Sequence, residues 1–302
     1  MSSQLEQRIA ASLARDLRAE VADLAAMLGR QAGACAVLFY GSNLRTGSLE
    51  GVLDFYVLLP GEQQERIWPR VSYHEWQHGE ETLRAKIATM SLAKFSQAAR
   101  GDSRDTTIWT RFVQPSALAW VGEETVRPAI RDAIASAAMS AARFAAVLGP
   151  RKGTPEAFWR ALFQATYRAE FRIEKPGRED SILSVNREHF DGLLPLALDA
   201  AGIDYSQDGE VLGPDLSQSD RRAILKQWHA RERLGRPLNI VRLAKATATF
   251  DGAARYAAWK LHRHTGIALE VTPFREKHPF LAMPGAALEL WRARRRAARD
   301  QR

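Results

Sequence analysis

At 302 residues the chain has room for one large domain or two ordinary ones, and 46% hydrophobic against 26% charged residues is a globular balance. The lone cysteine, Cys35, excludes an intrachain disulfide and any cysteine-cluster metal site. A formal net charge of +8 points to an anionic partner: nucleotide, nucleic acid or acidic lipid.

Leu5, Ile9, Leu13, Leu17, Val21, Leu24 and Leu28 recur at helical spacing, which predicts one amphipathic helix over residues 4–28, ended by Gly29. That N-terminus is amphipathic rather than continuously apolar, so no signal peptide is expected. No stretch approaches the ~20 apolar residues that a membrane span needs. The expected location is the cytoplasm, with peripheral contact on the inner face of the membrane.

Cys35 sits in an apolar run and reads as a buried structural thiol. The run Val37-Leu38-Phe39-Tyr40 stops at Gly41-Ser42, and a second run opens with Asp54 and continues Phe55-Tyr56-Val57-Leu58-Leu59. Two buried strands joined by a polar loop fit this pattern. A glycine lets a backbone come close to a phosphate, and a serine adds a hydroxyl donor. A carboxylate on the neighbouring strand can hold Mg²⁺ against the same phosphates. An ordinary strand, turn and strand satisfies the same pattern. Arg45, in the loop, reads equally as a triphosphate contact or a solvated arginine.

Residues 71–76 have strand character. Leu83–Met90 alternates apolar and basic, a strand with Arg84 and Lys86 on one face. Both reach phosphate if that face is the site; otherwise they are edge charges. Ser91 is the expected N-cap of a helix over 92–99. Ala117–Val121 is a further strand or short helix. Residues 128–148 are alanine-rich and helical, and Thr154-Pro155-Glu156 starts another helix. Residues 181–201 read as one helix, 203–219 as a connector, 220–234 as a charged helix. Gly252–His264 reads as a helix carrying Arg255, Lys260 and Arg263, with His262 and His264 at the surface. After Pro284, six arginines face two carboxylates beside Leu288, Leu290 and Trp291. That composition suits a helix lying on anionic lipid or a solvated tail.

Gly-Ser followed by an acidic strand is the outline of a polymerase-β-type nucleotidyltransferase. The whole order of segments resembles the mitochondrial translocator-assembly-and-maintenance type of phosphatidate cytidylyltransferase and its bacterial relatives. Tyr40-Gly41-Ser42 and the Asp54-Phe55 strand look like its nucleotidyltransferase motif, and Leu83–Ser91 resembles its basic strand with Lys86 at the lysine position. Trp109-Thr110-Arg111 with Gln114-Pro115, Ala165 to Arg172, and Val185-Asn186 resemble the segments that follow. Ala246–Lys260 is similar, less closely, to its C-terminal basic helix.

The resemblance implies an α/β (α+β) fold. A polymerase-β-type nucleotidyltransferase domain would occupy 1–125 and a mostly helical, winged-helix-like domain 126–235. A C-terminal basic helical region, a candidate membrane contact, would fill 236–302. It implies an Mg²⁺-dependent transfer of CMP from CTP to phosphatidic acid, giving CDP-diacylglycerol and pyrophosphate. Asp54 would ligate the metal. Tyr40, Gly41, Ser42 and Lys86 would bind the nucleotide, with Lys86 neutralising developing charge. Arg111 and Arg172 are candidates for the acceptor phosphate, since a guanidinium fork matches two phosphate oxygens. Glu170 would orient an arginine, supply a further metal ligand, or be a plain helix-surface charge. The wider nucleotidyltransferase pattern has a second carboxylate two residues after the first, and here Tyr56 stands in that place. RNA is a less expected partner, because no aromatic-basic RNA-binding motif is present. An acceptor other than lipid, or an inactive membrane-surface relative, is the competing expectation. The sequence carries no signal for oligomeric state.

Overall fold

The N-terminal apolar stripe is one stripe in sequence and two helices in space. In the computed structural model, which describes residues 3–79, 81–170, 178–249, 252–265 and 271–274, helix α1 spans Ser3–Leu13 and α2 spans Ala19–Ala32. Leu5, Ile9 and Leu13 enter one apolar core, whereas Val21, Leu24 and Leu28 enter another on the opposite side of the sheet. Serving two cores forces the break at residues 14–18. The second helix ends at Gly33, in the left-handed conformation (φ 59°), and not at Gly29. Gly29 lies inside α2 because a Cβ there would sit 2.2 Å from the Trp120 ring.

The sheet follows the alternation of its residues. Strand β1 (Ala36–Tyr40) leads through the short helix α3 (Ser42–Thr46) to β2 (Leu53–Leu59), then β3 (Arg70–His78) and β4 (Glu81–Ser91). Helices α4 (Leu92–Ala99) and α5 (Thr107–Phe112) precede β5 (Ser116–Val121). The spatial order is β3-β4-β2-β1-β5, with β2 and β4 parallel and the other neighbours antiparallel. Val37, Phe39, Phe55, Val57, Ala85 and Ile87 face α2. Leu38, Tyr56, Leu58, Ala88 and Met90 face the helical side. Ser91 caps α4 as its sequence predicts, its Oγ accepting from the Lys94 N–H at 3.1 Å.

Helix α6 (Arg127–Leu148) buries a nearly continuous run of alanines. Such small side chains let α1, α4, α5 and further helices approach it closely. Helix α7 spans Pro155–Glu170. The helix predicted over 181–201 is instead three pieces: α8 (Arg178–Val185), α9 (Arg187–Phe190) and α10 (Leu193–Ala200). Buried Asn186 turns its amide back onto the Ile182 carbonyl at 2.7 Å, and Gly192 takes φ 66°, so each interrupts the helix. The expected connector contains a hairpin, β6 (Tyr205–Asp208) with β7 (Val211–Pro214), turned at Gly209 with φ 58°. Helix α11 runs Gln218–Thr249, and α12 runs Ala253–Thr265 against β3. Arg172, residues 284–302 and the side chains of Lys260, His262 and His264 lie outside the described residues. Among the described residues no helix is long and apolar enough to cross a membrane.

Candidate active site

Strand register, rather than proximity in sequence, assembles the site. Asp54 opens β2 and lies directly opposite Tyr40 on β1 and Lys86 on β4. Extending the row outward adds Tyr73 on β3 and Ser116 on β5. Directly paired residues share a sheet face, so Tyr73, Lys86, Asp54, Tyr40 and Ser116 form one line across it. Of the two alternatives left open for the Arg84–Lys86 face, the register gives the one in which it is also the face of Asp54.

Gly41 shapes the approach to Asp54. Its backbone takes φ 91° and ψ −162°, a region essentially reserved for glycine. A Cβ there would lie 3.0 Å from Asp54 Oδ2. The glycine therefore lets the β1–α3 turn pass over the carboxylate. Exposed Ser42 follows, its Oγ 3.3 Å from Asn43 Oδ1. Buried Asn43 donates to the carbonyls of Ser48 and Glu50, both at 2.8 Å, and so fixes the loop that returns to Asp54.

Behind the row lies a charged pocket in the aromatic core. Tyr56 points to the same face as Asp54 and packs on Tyr40, Phe95 and Phe112. Arg111 donates to the Tyr56 hydroxyl at 2.9 Å, with its guanidinium over the rings of Tyr40 and Tyr56 at 5.4 and 5.7 Å. Burial works against the Arg111 charge. The surrounding phenols and the carboxylates of Glu170 and Asp54 outweigh it, and its pKa is raised. Glu170, at 4% exposure, is not a helix-surface charge: the Thr106 hydroxyl donates to it inside the protein. Tyr56, two residues after Asp54, thus supplies a ring and a hydroxyl acceptor for Arg111.

Asp54 carries the chemical tension of the site. Burial pushes its carboxyl pKa up, opposed by the positive charges of Lys86 and Arg111. Cys35, by contrast, is inert: its thiol is half-buried, points at the Leu58 carbonyl, and is pushed up by burial.

Helix α12 adds residues that the motifs did not single out. Tyr256 packs on Tyr73 at a tilt, with ring centroids 5.3 Å apart, and stacks on Trp259 at 6.3 Å. Burial raises the Tyr256 phenol pKa, and the negative charge of Asp54 adds to the rise. Arg84 and Arg263 lie 5.6 and 5.5 Å from the Trp259 ring centroid. Arg84 also pairs with Glu75 at 3.4 Å, and Tyr73 donates to Glu75 at 2.8 Å. Arg84 is therefore bound into the α12 contact, while Lys86 stands beside Asp54. The spacing of Tyr256, Trp259 and Arg263 along one helix face was the available signal.

The row contains one carboxylate. Among the described residues no group of three His, Cys, Asp or Glu side chains is placed to hold a metal ion. This donor set does not cage a resident ion. It does suit an Mg²⁺ that takes most of its ligands from phosphates and water. Compared with protein-family models and with curated proteins, the chain matches none, so the family resemblance rests on its motifs alone.

Proposed function

We propose that the Asp54 site transfers a nucleotidyl group from a nucleoside triphosphate to a phosphorylated acceptor, and specifically CMP from CTP to phosphatidic acid. The observation that carries this reading is the in-register row Lys86–Asp54–Tyr40 under the close backbone turn at Gly41. The strand–turn–acidic-strand order is that of a polymerase-β-type nucleotidyltransferase domain. The helices after α6, with the β6–β7 hairpin, suit a winged-helix-like second unit.

An acceptor phosphate oxygen attacks the α-phosphorus of CTP in line. The new bond is P–O to the acceptor, the broken bond joins the α-phosphorus to its bridging oxygen, and pyrophosphate leaves. Catalysis of this kind is positioning and charge neutralisation. Lys86 offsets charge on the departing phosphates. Ser42 and the turn at Gly41 hold the triphosphate. Lys86 and, more weakly, Arg111, which donates to Tyr56, oppose the rise that burial imposes on the Asp54 carboxyl pKa. Arg172 is the remaining candidate for the acceptor phosphate. Asp54 would hold the Mg²⁺ that accompanies the nucleotide, and that ion supplies further charge neutralisation. The acceptor's location makes the protein peripheral to the inner face of the membrane.

Tyr56 favours a second reading, in which the site binds a nucleotide without turning it over. One assay separates the two: pyrophosphate release from each of the four nucleoside triphosphates with Mg²⁺, with and without phosphatidic acid in mixed micelles. Release from CTP alone, dependent on lipid and lost in Asp54→Ala, supports the transferase. CTP binding without release supports the second reading. Neither binding nor release refutes both.

A further inference from the structure

A second basic site stands apart from the Asp54 row. A cavity of about 680 Å³ opens where the end of α1, the end of α3 and the α8–α9 junction meet. Its lining includes Arg8, Arg15, Arg45 and Arg187 against the single carboxylate of Glu188. The volume is typical of a small-ligand cavity.

One wall is held in place by hydrogen bonds, while Arg15 and Arg187 stand exposed at the cavity's rim. Arg8 reaches from α1 and donates to the carbonyls of Glu188, His189 and Asp191 at 3.2, 2.9 and 2.5 Å. His189 donates from Nε2 to the Val113 carbonyl at 2.8 Å, fastening the same segment to the chain before β5. Burial, with Arg8 and Arg15 nearby, holds its imidazole down to about 4, so it adds no charge at neutral pH. Arg15 and Arg187 form no ion pair or side-chain hydrogen bond among the described residues. Guanidiniums converging on a preformed cavity repel one another unless an anion lies between them. Their planar forks match phosphate oxygens better than they match water. Pro115 and exposed Val185 give the same cavity an apolar edge.

We infer that this cavity is a second anion-binding site, which takes a phosphate dianion carried on a ligand with an apolar portion. Pro115 adjoins Ser116, two strands from Asp54 along the row, or roughly 10 Å. The cavity is therefore a neighbour of the Asp54 row, reached also through Arg45 on α3, and the inference stands whether or not Asp54 serves a transferase.

The test titrates the full chain, in Mg²⁺-free buffer, with inorganic phosphate and with short-chain phosphatidic acid below its micelle concentration. The protein is compared with Arg15→Gln/Arg187→Gln and with Arg30→Gln, an exposed arginine of α2 on the opposite side of the sheet. The expected result is saturable binding that weakens at least tenfold in the arginine pair and is unchanged in Arg30→Gln. The side chains of the pair make no ion pair or hydrogen bond among the described residues, so its melting temperature does not fall below the parent value. Equal affinity for both probes identifies a free phosphate as sufficient; tighter binding of the lipid identifies a phosphorylated headgroup with its chain. No saturable binding of either probe, or equal affinity in the parent and the arginine pair, overturns the inference.

Discussion

Gly41→Ala strains the backbone and displaces Asp54 in one substitution. The turn has φ 91° and ψ −162°, where a residue with a Cβ costs about 1–3 kcal/mol. The added methyl would also stand 3.0 Å from Asp54 Oδ2, closer than an ordinary contact, so the carboxylate must give by a few tenths of an ångström. Gly47→Ala is the matched control. It also sits at positive φ, 65°, but a Cβ there meets nothing within 4 Å. Its cost is the left-handed penalty alone, about 1–2 kcal/mol. Urea unfolding should therefore show both variants destabilised to a similar degree. Pyrophosphate release should fall at least tenfold (about 1.4 kcal/mol) in Gly41→Ala and stay near the parent rate in Gly47→Ala. The reasoning fails if Gly41→Ala is as stable as the parent within about 0.5 kcal/mol. It fails equally if Gly47→Ala damages turnover as much.

Three further outcomes follow from the buried charges. The folded pKa of His189 is depressed from 6.5 to about 4, so the folded state binds fewer protons than the unfolded chain between those values. Its stability contribution is present above pH 6.5 and declines as pH falls towards 4, by about 2 kcal/mol between pH 7 and pH 5. His189→Gln keeps a donor for Val113 and should flatten that part of the urea-derived stability profile; an unchanged slope would exclude His189 as its source. Asp54 has the opposite sign. Its folded pKa is raised, so its contribution is present at low pH and lost as pH rises through the folded value. Asp54→Asn should melt higher than the parent at pH 7, the gap closing below the carboxylate range, while abolishing turnover; a lower melting temperature at pH 7 would refute the burial argument. Arg111→Met removes a buried cation that attracts Glu170 and Asp54 and should cost about 3–5 kcal/mol. Adding Glu170→Gln should recover part of that loss in a double-mutant cycle, and strict additivity would show that the two side chains do not couple.

The strands were legible because their signals are local. Alternation in Leu83–Met90 and the apolar runs on either side of Gly41-Ser42 each mark an element without reference to the rest of the chain. Local periodicity also misled, at the N-terminus. Seven apolar residues at helical spacing do not reveal that they serve opposite faces of a sheet, because that depends on where the sheet lies. Asn186 and Gly192 were visible as residues, but their interruption of a helical pattern depends on burial and a positive φ. In the site, Asp54 and Lys86 were readable from motif and alternation. Their pairing was not, since register between β2 and β4 is a tertiary property. Glu170 and Arg111 lie far apart in sequence, and only the packing of α5 and α7 against α6 makes one an electrostatic neighbour of the other. The aromatic face of α12 went unassigned because the helix was read by its basic residues, and its docking on β3 is a tertiary property.

The backbone contact between α12 and β3 sets an order on assembly. Gly252 takes φ 77°, and a Cβ there would lie 2.3 Å from the Tyr73 carbonyl, so the chain touches the sheet edge directly as the helix begins. Every strand of the five-stranded sheet has been synthesised by residue 121, yet Tyr256, whose ring packs on Tyr73 beside the Asp54 row, arrives more than a hundred residues later. A nascent chain can thus hold a finished sheet around an open row for most of its synthesis. Nucleotide capture during translation would then lag behind folding, and the moment at which ligand first protects the chain from protease marks the docking of α12.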